Sequence, residues 1–503
     1  MKLLPTLLAC LAGLSASAQS VHLNNSFGNS GITITPNTSE INQIAIDPNG
    51  MIFSAGYSIE SGGTGVYHLT VTKNSPQGAP VLNFGTNGLV TTIIDHSEFP
   101  LDIQLQTDGK ILVSGSTYLG PTQNGPGDYN SFVVRYTTSG ILDNTFGNNG
   151  IFKLPHSDSH IAKMMILADG SILLAGNSFS YGGVSKIDQN GTLDPDFGNG
   201  GSRFLSDANF TFILWDAIRL ADNTILCVGY DLTDSSNMKL ACCKIDQNGD
   251  FVSGFGTNGK LILDLFPFSG TPEIDEYLNK AIQLPNGQIV IGGQAMGAIL
   301  LKINPDGTVV PSFGTNGVLT HTYPFADFQV QPDGKFLIGG SQEVSQYNAG
   351  ISITRLNSNG SLDNSFNGTG TFTFDPSADH DYLQTLKLTG NGHIIVGGSS
   401  HLISQSADFM LADLDTNQNL ALNEEQLDGI SVYPNPFSDN VTISIEDESV
   451  TSIQLTDASG RLINSYPVSK QMVLSLEQLD AGMYQLVFTN DQQQKTSKKL
   501  IKN

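Results

Sequence analysis

The chain has 503 residues with 23 Lys and Arg against 47 Asp and Glu, a formal net charge of −24, yet only 14% of its residues are charged. Phosphate backbones repel such a chain, which excludes nucleic acid as a partner. Past the first twenty residues no apolar run approaches the ~18 needed to cross a bilayer, so no integral membrane segment is expected in the mature chain.

The first element is a leader. Lys2, a mostly apolar run from Leu3 to Leu14, and small residues at Ala16 and Ala18 before Gln19 form the pattern of a secretory signal peptide over 1–18. Leu7-Leu8-Ala9-Cys10 also resembles a lipoprotein cleavage box, but cutting there leaves an apolar core only from Leu3 to Ala9.

Residues 19–420 are organised by a recurring Phe-Gly pair. It ends at Gly28, Gly85, Gly147, Gly198, Gly256 and Gly314, with Phe366-Asn367 as a degenerate seventh copy. Self-similarity at a spacing of 51 to 62 residues marks stacked units that cannot bury their apolar faces alone. In the clearest copy, 317–366, four short strands are expected: Val318 to His321, Phe328 to Gln331, Phe336 to Gly339 and Ile351 to Leu356, with a tight turn at Asp333-Gly334. The turn recurs at Asn49-Gly50, Asp108-Gly109, Asp169-Gly170, Asp222-Asn223, Asn286-Gly287 and Asn391-Gly392. Glycines at 56, 115, 176, 229, 293 and 398 close the third strand and are read as room for close sheet-on-sheet approach.

The fold class is therefore all-β: a seven-bladed β-propeller of four-stranded repeats. The last repeat lacks its Phe-Gly pair, and Leu23 to Gly28 at the other end supplies it, so the two ends meet. An open β-solenoid is the alternative. Strings such as LDNTFGNNG at 142–150 and QTDGKILVSG at 106–115 resemble the delta-60 repeat family of β-propeller-like proteins. That resemblance implies a fold and no general activity.

Cys227, Cys242 and Cys243 fall in one repeat. Cys242 and Cys243 stand where Leu300 and Leu301 stand in the next, which favours apolar fillers, with a bridge from Cys227 to one of them as the alternative.

Strand parity sorts the loops to two ends. One end carries the short Asp-Gly turns and Phe-Gly links, and the other carries loops of variable length, including Tyr118 to Asn130 and Asp231 to Asn237, where function on a rigid scaffold usually sits. The loops joining the first and second strands there hold Asp95, His96, His156, Asp158, His160, Asp207, Glu273, Asp275, Glu276, His321, Asp327, Asp379, His380 and Asp381. Carboxylates and imidazoles converging near an axis can bind a polyhydroxylated ligand or a cation, or act as acid and base. The plain alternative is that they are solvated surface, and no pair is assigned a catalytic role. No cofactor is implied. A calcium loop fits Asp413, Asp415, Asn417, Asn419 and Glu424, except that Gln418 replaces the required glycine, and the turns at Asp188 and Asp246 resemble partial calcium loops. Asx residues are expected in any such turn.

After a linker at 421–428, residues 429–503 read as a small Ig-like β-sandwich. Tyr433-Pro434-Asn435-Pro436, the turn ending in Gly460-Arg461, Gly482-Met483-Tyr484 and the terminal Lys498-Lys499-Leu500 occur in the order of the type A C-terminal sorting domain of the type IX secretion system of Bacteroidota, which this module resembles. The resemblance implies the type IX machinery as partner and a secreted or cell-surface location. The expected function is a secreted or cell-surface binding propeller whose ligand is a glycan or a surface protein. A polysaccharide hydrolase or lyase using the acidic loops and a non-catalytic structural surface protein are the alternatives.

Overall fold

The structure, a computed structural model, describes residues 20–502 apart from 61–64, 121–127, 158, 179–180, 235–237, 265–276, 295–296, 346–347, 378, 391, 402–406, 417–429, 446–448, 458–461, 480–481 and 491–494. The expected signal peptide and the linker at 421–428 lie outside the described residues. The chain divides into two compact units, Met1–Asn417 and Gln418–Asn503.

In the first unit the described residues form seven antiparallel sheets, six of them four-stranded meanders and the seventh five-stranded, and no helix. They cover residues 40–92, 97–157, 159–204, 212–263, 277–321, 327–374 and 382–415, here blades 1 to 7. The first strands of successive blades are Glu40–Ile46, Ser97–Leu105, Ser159–Ile166, Phe212–Arg219, Tyr277–Gln283, Asp327–Val330 and Tyr382–Leu388. Each neighbours the first strand of the next blade, and the last neighbours the first, so these strands ring a central axis. Apolar cores lie between successive blades all the way round. Phe53, Val71 and Phe84 of blade 1 pack on Ile103, Val113 and Phe132 of blade 2, and Ile395 and Phe409 of blade 7 pack on Ile41 and Ile44 of blade 1.

Blade 7 draws its outermost strand from the other end of the unit: Ile32–Thr35 pairs with Phe409–Ala412, and His22 and Leu23 pair with Asp415 and Leu414. The expected meeting of the ends is thus observed, and the third strand of blade 7 is covered by strands from the beginning of the unit. The phase of the repeat is corrected. Val318–His321, expected to open a repeat, is the outermost strand of blade 5, pairing Leu319 with Leu300. The Phe-Gly pairs consequently lie inside blades, between the third and fourth strands.

The seven signature phenylalanines are all buried. The glycine after each has φ between +52° and +59°, and Asn367 takes the same conformation at +50°, which Asn tolerates better than other side-chain-bearing residues. At Gly147 an added Cβ would lie 2.4 Å from the Ile151 carbonyl oxygen. The amide N–H groups of Gly85 and Gly147 donate to Ser139 and Asn190 in the following blade, at 2.8 and 2.7 Å. Gly28 and Gly256 donate likewise to Gln77 and Asp306, so the motif fastens one blade to the next at these four copies.

A second correction concerns the glycines at 56, 115, 176, 229, 293 and 398. Each pairs with the residue just before a β-bulge in the innermost strand, as Gly56 with Ile41 and Gly229 with Leu214. A Cβ at either would sit 1.9 Å from the facing carbonyl oxygen. The closest approach they permit is by the bulged neighbouring strand, with Phe409 of blade 7 also near Gly56.

Cys227, Cys242 and Cys243 are buried free thiols. Cys227 faces Cys243 across the strand pair, and all three pack as apolar filler in the cores either side of blade 4.

In the second unit, Ile430–Tyr433, Asn440–Ile445 and Gln471–Ser475 form one sheet, and Val450–Asp457, Leu462–Tyr466, Gly482–Asn490 and Lys495–Lys502 form another. Val441, Ile443 and Leu474 from the first meet Ile453, Leu455, Leu486, Phe488 and Leu500 from the second in one core.

Candidate functional site

Six of the seven innermost strands show a bulge at equivalent positions, and the residues just after it, together with Asp327 in blade 6, form an axial belt. Its members are Gln43, Asp102, Lys163, Asp216, Lys280, Asp327 and Thr385, one from each blade. Asp102 accepts from Lys163 Nζ and from the Met164 N–H, both at 2.9 Å. Asp216 accepts from the Ala281 N–H at 2.9 Å. Asp327 accepts from Lys280 Nζ, and from the Leu386 N–H at 2.8 Å. Thr385 Oγ1 donates to Gln43 Oε1 at 2.6 Å. Each carboxylate therefore bonds the backbone of the next blade, which uses hydrogen-bonding groups that the inner edge of a sheet would otherwise leave unpaired.

The belt is electrostatically tight. Burial alone would lower Lys163, yet the Asp102 and Asp216 carboxylates hold it above its ordinary value. Burial pushes Asp216 up, with Lys163 opposing. Lys387, two residues beyond Thr385, is pulled down to about 8 by burial and by the Lys280 charge.

Of the residues expected on the loops, only Asp327 joins this belt, and it is a buried strand residue. His156, His160 and His321 also lie on strands and not in loops. Asp158, Glu273, Asp275 and Glu276 lie outside the described residues. The others are held locally instead of converging. Asp95 pairs with Lys153 Nζ at 2.7 Å, and Asp207 with Lys260. His160 Nε2 meets Asn177 Nδ2 at 2.9 Å, and His321 lies 4.8 Å from the Tyr323 ring. Asp379 bonds His380 Nδ1 at 2.9 Å, and buried Asp381 accepts from the Ser377 N–H at 2.9 Å. His96 stands exposed, edge-on to Tyr118.

The first calcium reading falls largely outside the described residues, which include neither Asn417 nor Gln418. Asp413 and Asp415 are on a strand, with Asp413 bonded to His393 Nδ1 at 2.9 Å and to Asn24 Nδ2 at 2.7 Å, while Asn419 and Glu424 lie outside the described residues. Asp188 and Asp246 accept backbone N–H groups of their own turns, from Asn190 and Asn248, at 2.8 Å each. Among the described residues no three His, Cys, Asp or Glu side chains are grouped to hold a metal ion.

What gathers at the variable-loop end is aromatic. Tyr57, Tyr67, Phe99, Tyr129, Tyr118 and His96 form a continuous run across blades 1 and 2, with successive ring centroids 5.0, 5.5, 6.3, 5.2 and 5.7 Å apart. All are strand-end or link residues and none is fully buried; Tyr129 is exposed. Buried Glu98 holds the floor, taking the N–H groups of Ile94 and Asp95 at 3.0 and 2.8 Å and facing His68 Nδ1 at 3.3 Å. Tyr57 donates to Glu40 at 2.9 Å.

In the second unit the sorting residues knit the ends of the module together. Asn435 Oδ1 accepts the Ile501 N–H at 2.9 Å, and Lys502 Nζ donates to the Ser438 and Leu476 carbonyls. Tyr433, Pro434 and Pro436 precede Phe437, whose ring packs in the core beneath the Lys502 ammonium. Tyr484 lies against the core; Lys498 and Lys499 pair with Leu486 and Gln485. Gly482 opens a strand, and Gly460 lies outside the described residues.

These features define an exported all-β protein, a propeller followed by a sorting module. Residues 431–503 match the secretion system C-terminal sorting domain, and 106–146, 167–197, 284–313 and 331–366 match a β-propeller domain of unknown function, DUF5122. The sorting domain directs export through the type IX system and places the protein in the medium or at the cell surface. A search of curated proteins returns no match.

Among solved structures, a protein of unknown function from Dyadobacter fermentans is similar at 13% identity and TM-score 0.38, covering 76% of this chain and 99% of that one. A PL25 ulvan lyase bound to a GlcA-Rha3S oligosaccharide is similar at 12% and 0.42, covering 75% and 94%. The propeller domain of the trilobed protease from Pyrococcus furiosus is similar at 9% and 0.36, covering 75% and 95%. No membrane-spanning helix is found among the described residues.

Proposed function

We propose that this exported propeller is a binding protein for a neutral glycan, held against the aromatic run on blades 1 and 2. The observation that carries this reading is the run itself. A sugar ring has apolar C–H faces and a hydroxyl rim, and a row of tyrosines offers matching apolar faces with phenolic hydroxyls at the edge. Neighbouring rings, and the Tyr57 bond to Glu40, hold the row in place, so little side-chain freedom is lost on binding. The charge of −24 disfavours sulfated and uronate-rich chains. Among the described residues, Asp95, Asp207, Asp327, Asp379 and Asp381 are tied to lysines, histidine or backbone N–H groups, which favours binding over hydrolysis or elimination.

The test is retention of the mature protein on immobilised neutral polysaccharides, with soluble products assayed in the same wells. Retention without products, reduced at least tenfold by Tyr129→Ala, is expected. Soluble products would replace this reading with an enzymatic one, and retention on no polysaccharide would overturn it.

A further inference from the structure

Where the beginning of the chain closes blade 7, three titratable side chains stand in one row. His393, at the start of the second strand, pairs with Asp415 at the end of the third, and Asp415 pairs in turn with His22. Residues directly paired across neighbouring strands point to the same face of a sheet, so the order along the row is imidazole, carboxylate, imidazole. The distances agree with the register. His393 Nε2 lies 3.9 Å from Asp415 Oδ1, and His22 Nε2 lies 4.0 Å from Asp415 Oδ2.

A fourth side chain on that face orients the row. Asp413, two residues before Asp415 and buried, meets His393 Nδ1 at 2.9 and 3.0 Å with its two oxygens. Asn24 Nδ2 donates to the same carboxylate at 2.7 Å and fixes it. An ionised carboxylate only accepts, so the proton of a neutral His393 sits on Nδ1, and the Nε2 lone pair is left facing Asp415. Two acceptors then confront each other with no hydrogen between them, and a cation in the gap relieves the conflict. A carboxylate behind the far nitrogen of an imidazole is also the support that metal-binding histidines use.

The surroundings admit an ion. The His22 side chain is 57% exposed, and Asp47, Asn24, His393 and Asp413 help to wall a cleft of about 730 Å³ between the turns of blades 7 and 1. The net charge of −24 draws cations towards the surface. Two imidazoles and one carboxylate suit zinc, whereas calcium takes oxygen ligands. As they stand the three side chains are not grouped around an ion. Donors on a tetrahedral zinc lie about 3.3 Å apart, so each gap has to close by roughly half an ångström, within reach of rotations of His22 and of the Asp415 carboxylate.

We infer that His22, Asp415 and His393 form a zinc site, with water as the fourth ligand and Asp413 positioning His393. The strand at His22–Leu23 is only two residues long, so the ion fastens to blade 7 a segment that backbone pairing holds over a short length.

The mature protein, free of any affinity tag and stripped with a chelator, is titrated with Zn²⁺ at neutral pH by calorimetry, and its melting is followed with and without the ion. One Zn²⁺ per chain is expected, with Tm raised by about 2–4 °C at a hundredfold excess over Kd. His22→Ala, at an exposed side chain, should raise the Kd at least tenfold and remove most of the gain in Tm. Asp413→Asn, at a residue that does not touch the ion, should weaken binding by about 10–100-fold. His380→Ala, at an exposed histidine on the other end of blade 7, should leave binding unchanged. Absence of saturable zinc uptake would overturn the site, as would uptake that His22→Ala leaves unchanged or that His380→Ala abolishes.

Discussion

The turn end of the propeller and its axis are built on opposite principles. At the turn end the same residues recur for the same purpose. Arg135 bonds Asp143 at 2.8 Å and lies 4.6 Å over the Phe146 ring. Two hundred and twenty residues later Arg355 bonds Asp363 at 2.8 Å and lies 4.7 Å over Phe366. At the axis the backbone repeats, bulge included, while the side chains change from blade to blade: Gln, Asp, Lys, Asp, Lys, Asp, Thr. The difference teaches that repeated sequence in this chain reports how blades are fastened together. Positions whose backbone is shared but whose side chains differ are where charge has been placed.

The comparison predicts unequal consequences when each region is disturbed. The largest expected effect is at the belt. Asp327→Ala removes the acceptor for the Leu386 N–H and strands the Lys280 ammonium in a confined site, which should cost about 3–5 kcal/mol in urea unfolding. A loss under 1 kcal/mol would mean that the belt does not tie the blades.

Next comes the turn end. Arg355→Ala removes one charge-assisted pair and a ring contact, for about 2–3 kcal/mol. It should also change the acid limb. Burial pushes the Asp363 carboxyl up, but Ser365, Lys335 and Arg355 together bring it from 3.8 down to about 2. A carboxylate depressed in the folded state stabilises above its unfolded value, and that contribution is lost as pH falls from 3.8 towards 2. The variant should therefore lose less stability across that window, as read by urea midpoints at each pH.

The smallest effect has the opposite sign. Among the described residues Lys387 has no ion-pair partner, and burial and the Lys280 charge lower its ammonium from 10.5 to about 8. The unfolded chain then binds more protons than the folded one between pH 8 and 10.5, so stability should rise with pH across that range. Lys387→Met should raise stability at pH 7 by about 1–2 kcal/mol and flatten the rise. A destabilised variant would show that the Lys387 charge is compensated after all.

Much of the architecture was legible without coordinates, and for definite reasons. Turn glycines need positive φ, alternation reports a half-buried strand, and the Phe-Gly spacing counts blades, so strand content, seven-fold repetition and closure by the chain's own beginning were all open to reading. The phase was not, because an outermost strand such as Val318–His321 looks the same whichever blade it pairs with. The loop side chains expected to converge could not be placed from sequence, because a charged group near a strand end pairs with whatever the fold brings beside it. Asp95, Asp207 and Asp379 each pair with a neighbour within reach, Lys153, Lys260 and His380. The belt had a signal that was passed over. Gln43, Asp102, Lys163, Asp216, Lys280, Asp327 and Thr385 each stand six residues ahead of the Asx that opens the adjacent turn, at 49, 108, 169, 222, 286, 333 and 391.

The sequence by itself determined the units, their number, the sorting module and its consequence for export, because each rests on local chemistry repeated or ordered along the chain. Only the tertiary structure decided which side chains meet. The bulge aligns residues some sixty positions apart on seven different strands, and the packing of blades 1 and 2 brings Tyr57 and Tyr67 against Phe99, Tyr129 and Tyr118. Such meetings depend on how radially arranged sheets approach one another, a relation between blades that no single repeat contains.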